Sequence, residues 1–500
     1  MLHALLAVLL VPLLLILREI FSPKKSNLPP SPSKLPIIGH LHHISSPMAH
    51  RAFHALSQKH GDIMHLQLGL LPTVVITSSE LAQEILKTQD TIFANRPSLF
   101  LTNKLFYGNR DITFTRYGEY WKQVKKISVI HLLNSKKVQS FRDIREDEVA
   151  RLIEKVYERA SLGPVNLSRL LNSLTNNMIS RVAVGRRITG GDKLNEMIIS
   201  VSELFESSWI LMTEYFPFVG AALNKINGMD ARIGRLVRDW DVLLDQVIED
   251  HKNNSGGGGE NNNKVEDLVD ILLSRYRDQD VSQYSLTMDQ IKAIIMDMFV
   301  AGTDTSFVLL EWTMSQLIKN PRVMKVVQAE VRSVVEAGKP SVGESDMVKL
   351  PYLKAVVKEG LRIHPPGPIL IPHESLKDAT VQGYHIPAKT RIIINAWAIG
   401  RDPKYWEAPE EFRPERFLEG SLDFKGNDFQ FIPFSAGRRI CPGISFAVSE
   451  VELTLANLLY RFDWKLPEGE GLVEDLNMDE EPGITVKRKY NLRVIATPYQ

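Results

Sequence analysis

The chain reads as a mostly α-helical protein with small β-sheets, built as a single large domain behind an N-terminal apolar segment. Three observations carry this expectation. From about Glu146 to Asn320, charged and apolar residues recur at helical spacing, with Asp and Asn clusters as breaks. β signals are brief: Ile63 to Leu68 and Val74 to Thr77, parted by Gly69 and Pro72, suit a hairpin. The isoleucine-rich Thr390 to Asn395 follows a turn at Pro387-Ala388-Lys389, which sets it off from Tyr384 and His385. The one low-complexity run, Ser255 to Asn263, lies between the charged helical segments Met229 to Asn253 and Lys264 to Asp278. It therefore reads as a surface loop, so the 500 residues need not be divided into several domains.

The N-terminus has its own logic. Ala4 to Leu17 are apolar without interruption, and Arg18, Lys24 and Lys25 follow. A cleaved signal peptide would carry its charge in front and small residues behind, so residues 1–21 read as an uncleaved, slightly short membrane anchor. The basic flank places everything after it in the cytosol, which also fits a chain with one cysteine. Residues 22–35, basic and then rich in proline at Pro29, Pro30 and Pro32, read as a stiff extended hinge leading to a catalytic domain over 36–500. Sixty Lys and Arg against 59 Asp and Glu give a net charge of +1, which argues against a nucleic-acid partner.

The single cysteine, Cys441, can be inert packing, a nucleophile or a solitary metal ligand, since it has no partner for a disulfide or zinc cluster. Its surroundings narrow the choice. It lies in Phe434-Ser435-Ala436-Gly437-Arg438-Arg439-Ile440-Cys441-Pro442-Gly443. Gly437 and Gly443 would allow positive φ and close approach of a flat partner, and Arg439 offers a planar fork suited to a carboxylate. Phe434, Gly437, Arg439, Cys441 and Gly443 fill every fixed place of the thiolate loop of the cytochrome P-450 family, and the resemblance runs from about Leu28 to the C-terminus. It implies haem b (iron protoporphyrin IX), with Cys441 as axial ligand pushing electron density toward O–O cleavage.

Three further segments carry the resemblance. Glu359-Gly360-Leu361-Arg362 is followed at once by the helix stop His364-Pro365-Pro366, and later by Phe412-Arg413-Pro414-Glu415-Arg416-Phe417. The likeness implies that Glu359, Arg362 and Arg416 lock together and fix the cysteine loop. Ala301-Gly302-Thr303-Asp304-Thr305-Ser306 interrupts an apolar helix over Asp289 to Asn320. The hydroxyls could simply bond back one turn. The family reading is that Ala301 and Gly302 lie at the haem and that Thr305 and Asp304 deliver protons for O₂ cleavage. Trp121 and Lys125 resemble a Trp-x-x-x-Arg pair on a haem propionate, with lysine in place of arginine, and His373 stands where relatives place a base toward the other propionate.

The implied activity is a monooxygenase of plant microsomal type. It would oxidise a hydrophobic specialised metabolite, such as a terpenoid, coumarin, phenylpropanoid or indole derivative, with O₂ and electrons from NADPH passed by a membrane cytochrome P-450 reductase. A lyase or dehydratase on the same scaffold, such as an aldoxime dehydratase, is the alternative. The resemblance also implies an endoplasmic-reticulum membrane location with one span, and a pocket lined by Phe299, Ile369, Leu370 and Ile484. A basic patch of Lys122, Lys126, Lys136, Lys137 and Arg438 would receive the reductase.

Overall fold

The computed structural model describes residues 27–44, 48–188, 191–255, 266–277, 286–335, 339–467 and 476–499. The proposed anchor, the basic half of the hinge, and the glycine-rich loop from residue 256 on lie outside the described residues. The central element is the helix Met288–Lys319, started by a reciprocal capping box in which Thr287 accepts from the Gln290 amide and Gln290 accepts from the Thr287 amide. It packs against helices Leu167–Val184, Ile444–Arg461 and Pro351–Ile363. Among the described residues it alone is long and apolar enough to cross a membrane, but 67% of its most apolar window is buried inside the protein, so it is the core helix.

The expected hairpin forms from Ile63–Leu68 and Leu71–Ile76, in register from Ile63 opposite Ile76 to Leu68 opposite Leu71. The second strand starts earlier than its apolar run suggests. Pro72 is tolerated because its pairing is with Gln67 alone; the parallel partner Arg391–Ile394 joins only at Thr73. His373–Glu374 closes this four-stranded sheet. The turn at Pro387-Ala388-Lys389 therefore joins two different sheets, because Tyr384–Ile386 pairs with Ala379–Val381 instead. The helical stretch divides into helices at Arg142–Ala160, Leu167–Val184, Gly191–Glu206, Ser208–Tyr215, Pro217–Ile226, Met229–Ser255 and Leu268–Arg277 before the central helix.

The described part of the proline-rich segment is extended but does not stand free. Pro29 and Pro32 are buried, the Pro30 carbonyl accepts from His65 N at 2.9 Å, and His40 Nε2 bonds the Pro32 carbonyl at 3.0 Å. This stretch is laid along the hairpin, a placement that leaves less freedom than a spacer would have.

Late in the chain, Glu480–Glu481 pairs with Lys487–Arg488, and Glu480 reaches back to Arg51 at 2.7 Å and His50 at 3.2 Å on helix Ala49–His60. Burial pushes the Glu480 carboxyl up, but pairing with His50 and Arg51 outweighs it and brings it from 4.5 to about 2. A carboxylate depressed in this way adds stability above its unfolded pKa and loses it as the pH falls through the folded one. The unfolding free-energy gap between wild type and Glu480→Gln, read by denaturant titration, is expected to shrink as pH drops from 4.5 toward 2. A pH-independent gap would refute the pairing as the source.

Candidate active site

The cysteine loop is built on one tight contact. Gly437 opens the short 3-10 turn Gly437–Arg439 at φ +66°, and a Cβ there would lie 2.0 Å from the Leu86 carbonyl oxygen. The positive φ expected of Gly437 is found, though its close neighbour is backbone. Gly443 differs from expectation: its φ is −86°, and a Cβ would meet only Cys441 Sγ at 3.8 Å. No backbone strain selects glycine there. The Cys441 amide donates to the Phe434 carbonyl at 3.0 Å, and helix Ile444–Arg461 begins three residues later. Burial pushes the thiol above 9.0; the Gly443 amide lowers it, the Asp297 charge raises it and Lys125 lowers it.

Around this loop lies a concentration of cations. Arg439 is buried and donates to the carbonyls of Ala94 (2.8 Å), Ile112 (3.4 Å) and Thr115 (2.6 Å). Trp121 lies beneath the Arg439 guanidinium, 4.1 Å from it, and donates to the Ile112 carbonyl at 3.0 Å. Lys125 stands 5.1 Å over the same ring and donates to the Arg438 carbonyl; burial first and then Arg439 push it down to about 8. Arg96 is a residue that sequence reasoning missed. It is buried, donates to the carbonyls of Thr113, Ile371 and Pro372, and is held well below its usual value by burial and by Arg439. His373 is buried too, with Nδ1 bonded to the Phe93 carbonyl at 2.8 Å and Nε2 without a partner. Burial and Arg96 keep it well below 6.5.

These groups have little negative charge to balance them. Asp90, Asp111 and Asp297 are close, but burial pushes all three carboxyls up, Asp297 to about 6, and Asp90 is paired with Arg438 at 3.2 Å. Asp297 is also committed to Ile112 N, Thr113 N and the Thr113 hydroxyl. A flat group with two carboxylates at one edge fits this setting. It would supply the missing charge, and a carboxylate brought to His373 Nε2 would favour a proton on that atom. The donor set thus fits haem, with Cys441 as the soft ligand.

The central helix passes the loop with a distinct stripe. Met298, Ala301, Gly302 and Thr305 are partly or fully exposed within a helix that is otherwise mostly buried, and their spacing of three and four puts them on one face. Met298 was missed by reasoning from the motif alone; the helical period would have found it. Thr305 Oγ1 donates to the Ala301 carbonyl at 2.8 Å, so the hydroxyl does bond back one turn. Asp304 points elsewhere and accepts from the Thr485 hydroxyl. The acid and the alcohol are adjacent in sequence but are not bonded to each other. Gly302 meets helix Leu167–Val184, where a Cβ would lie 2.9 Å from Ile179 Cδ1.

Phe299 leaves the pocket. It is fully buried in the main core, 6.2 Å from the Trp240 ring, because two residues along a helix turn it some 200° away from Ala301. Ile369, Leu370 and Ile484 are partly buried, each packed against a different hydrophobic cluster. Two clefts of about 660 and 580 Å³ lie elsewhere, around Arg332 and Arg401, and neither includes Cys441 or Thr305.

The expected triad is assembled. Arg362 donates to both Glu359 oxygens at 2.8 Å, and Arg416 Nε to Glu359 Oε1 at 3.1 Å. Both guanidinium groups lie over Trp406, at 5.2 and 5.9 Å. From there rings run through Phe417 and Phe431 (5.0 Å) and Phe424 to Phe434 (5.4 Å), whose carbonyl holds the Cys441 amide.

Comparison with known proteins agrees with this geometry. The family model described as Cytochrome P450 matches residues 29–492. The chain belongs to the cytochrome P450 family. It is similar to cytochrome P450 71A9 of Glycine max, 46% identical over 489 residues, covering 97% of this chain and 95% of that one. Strychnine-11-hydroxylase of Strychnos nux-vomica is 45% identical, covering 94% and 92%, and norfluorocurarine oxidase of a Strychnos species 43%, covering 98% of both. A zebrafish cytochrome P450 solved with progesterone superposes with a TM-score of 0.75 at 27% identity, covering 90% of this chain and 99% of that one. The protein is a P450-type monooxygenase with a mostly helical, single-domain fold, and haem is the cofactor that membership implies.

The two loop glycines of this P450 make opposite predictions. Gly437→Ala combines a left-handed backbone penalty of about 1–2 kcal/mol with overpacking against Leu86, so it is expected to destabilise by at least about 2 kcal/mol. Gly443→Ala should stay within about 0.5 kcal/mol. Denaturant midpoints of the two variants check this; equal losses would mean that the Leu86 contact does not govern the loop.

Proposed function

We propose that this P450 oxidises a hydrophobic plant specialised metabolite, using O₂ and NADPH-derived electrons from a membrane-bound reductase. The observation that carries the reading is Cys441 in its loop beside a cation cluster short of negative charge. Cys441 would ligate the haem iron, and Arg96, Arg439, Trp121, Lys125 and His373 would hold its propionates. When bound, the haem supplies reductive cleavage of O₂ and transfer of one oxygen atom to substrate. Ala301 gives it room, Thr305 holds a proton-bearing hydroxyl at its face, and the Ile369, Leu370 and Ile484 side chains exclude water from the substrate side. The strychnine and norfluorocurarine relatives favour, within the credible classes, a polycyclic alkaloid or another rigid apolar scaffold.

A membrane location fits the surface. Leu35, Ile37, Ile38 and Leu70 are exposed, as are Trp209, Leu211, Met212, Phe218 and Val219. The two groups meet where Leu70 N donates to the Tyr215 carbonyl at 3.0 Å. This apolar face lies on the side from which residues 27–40 enter the fold, so an anchor in the endoplasmic reticulum would bring it to the bilayer.

Reconstitution in membranes with reductase tests the whole reading. The reduced carbonyl complex is expected to show the red-shifted Soret band of thiolate ligation, with NADPH- and O₂-dependent product. Cys441→Ser should abolish that band, and its survival would sink the assignment. Thr305→Ala should keep the band while diverting NADPH into peroxide.

The reductase face is narrower than five basic residues. Lys122 and Arg438 share Tyr117, at 5.6 and 6.0 Å, with Lys126 exposed nearby, whereas Lys137 is turned to the Glu266 carbonyl at 2.7 Å. Arg438→Glu is expected to slow first-electron reduction about tenfold at low salt and less at high salt, while Lys137→Glu should change it little. Stopped-flow reduction across ionic strength decides; equal effects would remove the patch.

A further inference from the structure

Asp304 adjoins the central stripe in sequence, but its contacts lead away from the site. Its carboxyl accepts from the Thr485 hydroxyl, with the Ser202 hydroxyl and the Lys487 charge also acting on it. Thr485 and Ser202 are themselves buried, at 8% and 6% exposure, and come from different places. Ser202 is on helix Gly191–Glu206; Thr485 is in the turn between strands Glu480–Glu481 and Lys487–Arg488. The carboxyl therefore links the central helix to this turn, beside helix Gly191–Glu206.

The turn has a fixed base and a looser tip. Val486 O accepts from Trp312 Nε1 on the central helix at 2.9 Å, and Val486 N donates to the Pro366 carbonyl at 2.9 Å. Glu480 anchors the other side through Arg51. Between these anchors Pro482, Gly483 and Ile484 are only partly buried. Thr485 is the first residue past the loose tip, next to Ile484.

We propose that Thr485 and Ser202 form a hydroxyl clasp that holds Asp304 away from Thr305, and that an apolar ligand pressing on Ile484 opens it. Substrate occupancy then sets the supply of protons to Thr305. Thr485 and Ser202 are positioning residues; neither touches the reacting atoms. Burial, the largest influence on Asp304, pushes its carboxyl up, while Thr485, Lys487 and Ser202 act to lower it. The proposal rests on the monooxygenase reading and adds to it a gate on wasteful turnover. Without substrate, an open clasp favours the leak in which NADPH, O₂ and one proton give NADP⁺ and hydrogen peroxide.

The test uses the membrane-bound holoprotein with reductase and no added substrate. Thr485→Val removes the hydroxyl at constant shape, Thr485→Ser restores it, Ser202→Ala removes the second arm, and Ile484→Trp adds bulk where a ligand would press. Two quantities are read: amide hydrogen exchange of residues 482–487, and peroxide formed by NADPH oxidation. Thr485→Val and Ile484→Trp are expected to raise both by about fivefold or more, the lower range for coupled sites, with Ser202→Ala in the same direction and Thr485→Ser near wild type. Faster exchange without added peroxide would make the clasp merely structural and overturn the proposal, as would no change in either. Should Thr485→Val fail to fold, Ser202→Ala and Ile484→Trp carry the same decision. Failure of the monooxygenase reading looks different: wild type would then lack the thiolate carbonyl band and consume no NADPH, while the exchange measurement would still report on the clasp.

Discussion

Glu359 is the constraint on which the rest of the site depends. Its carboxylate pairs with Arg362, as no other does among the described residues, and it accepts in addition from Arg416 Nε at 3.1 Å and the Arg413 amide at 2.8 Å. Both Glu359 and Arg362 have fully buried side chains. A buried ion pair is a poor source of net stability, because desolvation consumes most of the attraction. Its value here is geometric. Arg362 also donates to the carbonyls of Gly400, Pro409 and Glu411, so a segment with little regular structure is fixed from the end of one helix. The ring sequence from Trp406 to Phe434 then conveys that fixity to the cysteine loop without any strand or helix in between.

The loop so placed lies among cations that repel one another. Arg96 and Lys125 are shifted toward the neutral form first by burial and then by Arg439, and Arg439 itself by burial, with Asp111, Tyr117 and Asp90 pulling the other way. A protein keeps such an arrangement only where a partner supplies opposite charge, since unpaired buried charge costs several kcal/mol. Backbone carbonyls of Ala94, Ile112, Thr113, Thr115, Ile371 and Pro372 satisfy the guanidinium donors but bring dipoles, not charge. This is why the cluster points to a dianionic cofactor edge more firmly than any single side chain does.

How much of this was legible in the sequence depended on the range of the interaction. The Glu359–Arg362 pair could be read because both residues are one helical turn apart, and Arg416 because its segment has a distinctive order. The hairpin and the central helix followed from period and punctuation. Phe299 was assigned to the pocket by resemblance to the family, whereas helical phase turns it into the core. Gly443 was assigned a conformational reason that its negative φ does not support. Arg96 gave no local signal: its significance comes from Arg439 and His373, hundreds of residues away. The contact from Asp304 to Thr485 spans 181 residues and rests on two ordinary polar side chains, so no pattern announces it.

The central helix shows why the same motif can be both structural and chemical. Its 32 residues bury Phe299, Thr303 and Ser306 on faces that pack against neighbouring helices, while Ala301 and Thr305 face the site. Thr305 satisfies its hydroxyl within the helix, by bonding the Ala301 carbonyl; the same bond orients the hydroxyl oxygen, leaving its lone pairs available to a further donor. Asp304, one residue earlier, is turned about 100° around the axis and meets a different layer of the protein. Acid and alcohol are therefore kept on separate faces by helical geometry itself, and any transfer between them needs a side-chain movement or a bridging water. That separation turns an Asp-Thr dipeptide, which sequence alone reads as one functional unit, into two groups whose communication the surrounding elements can control.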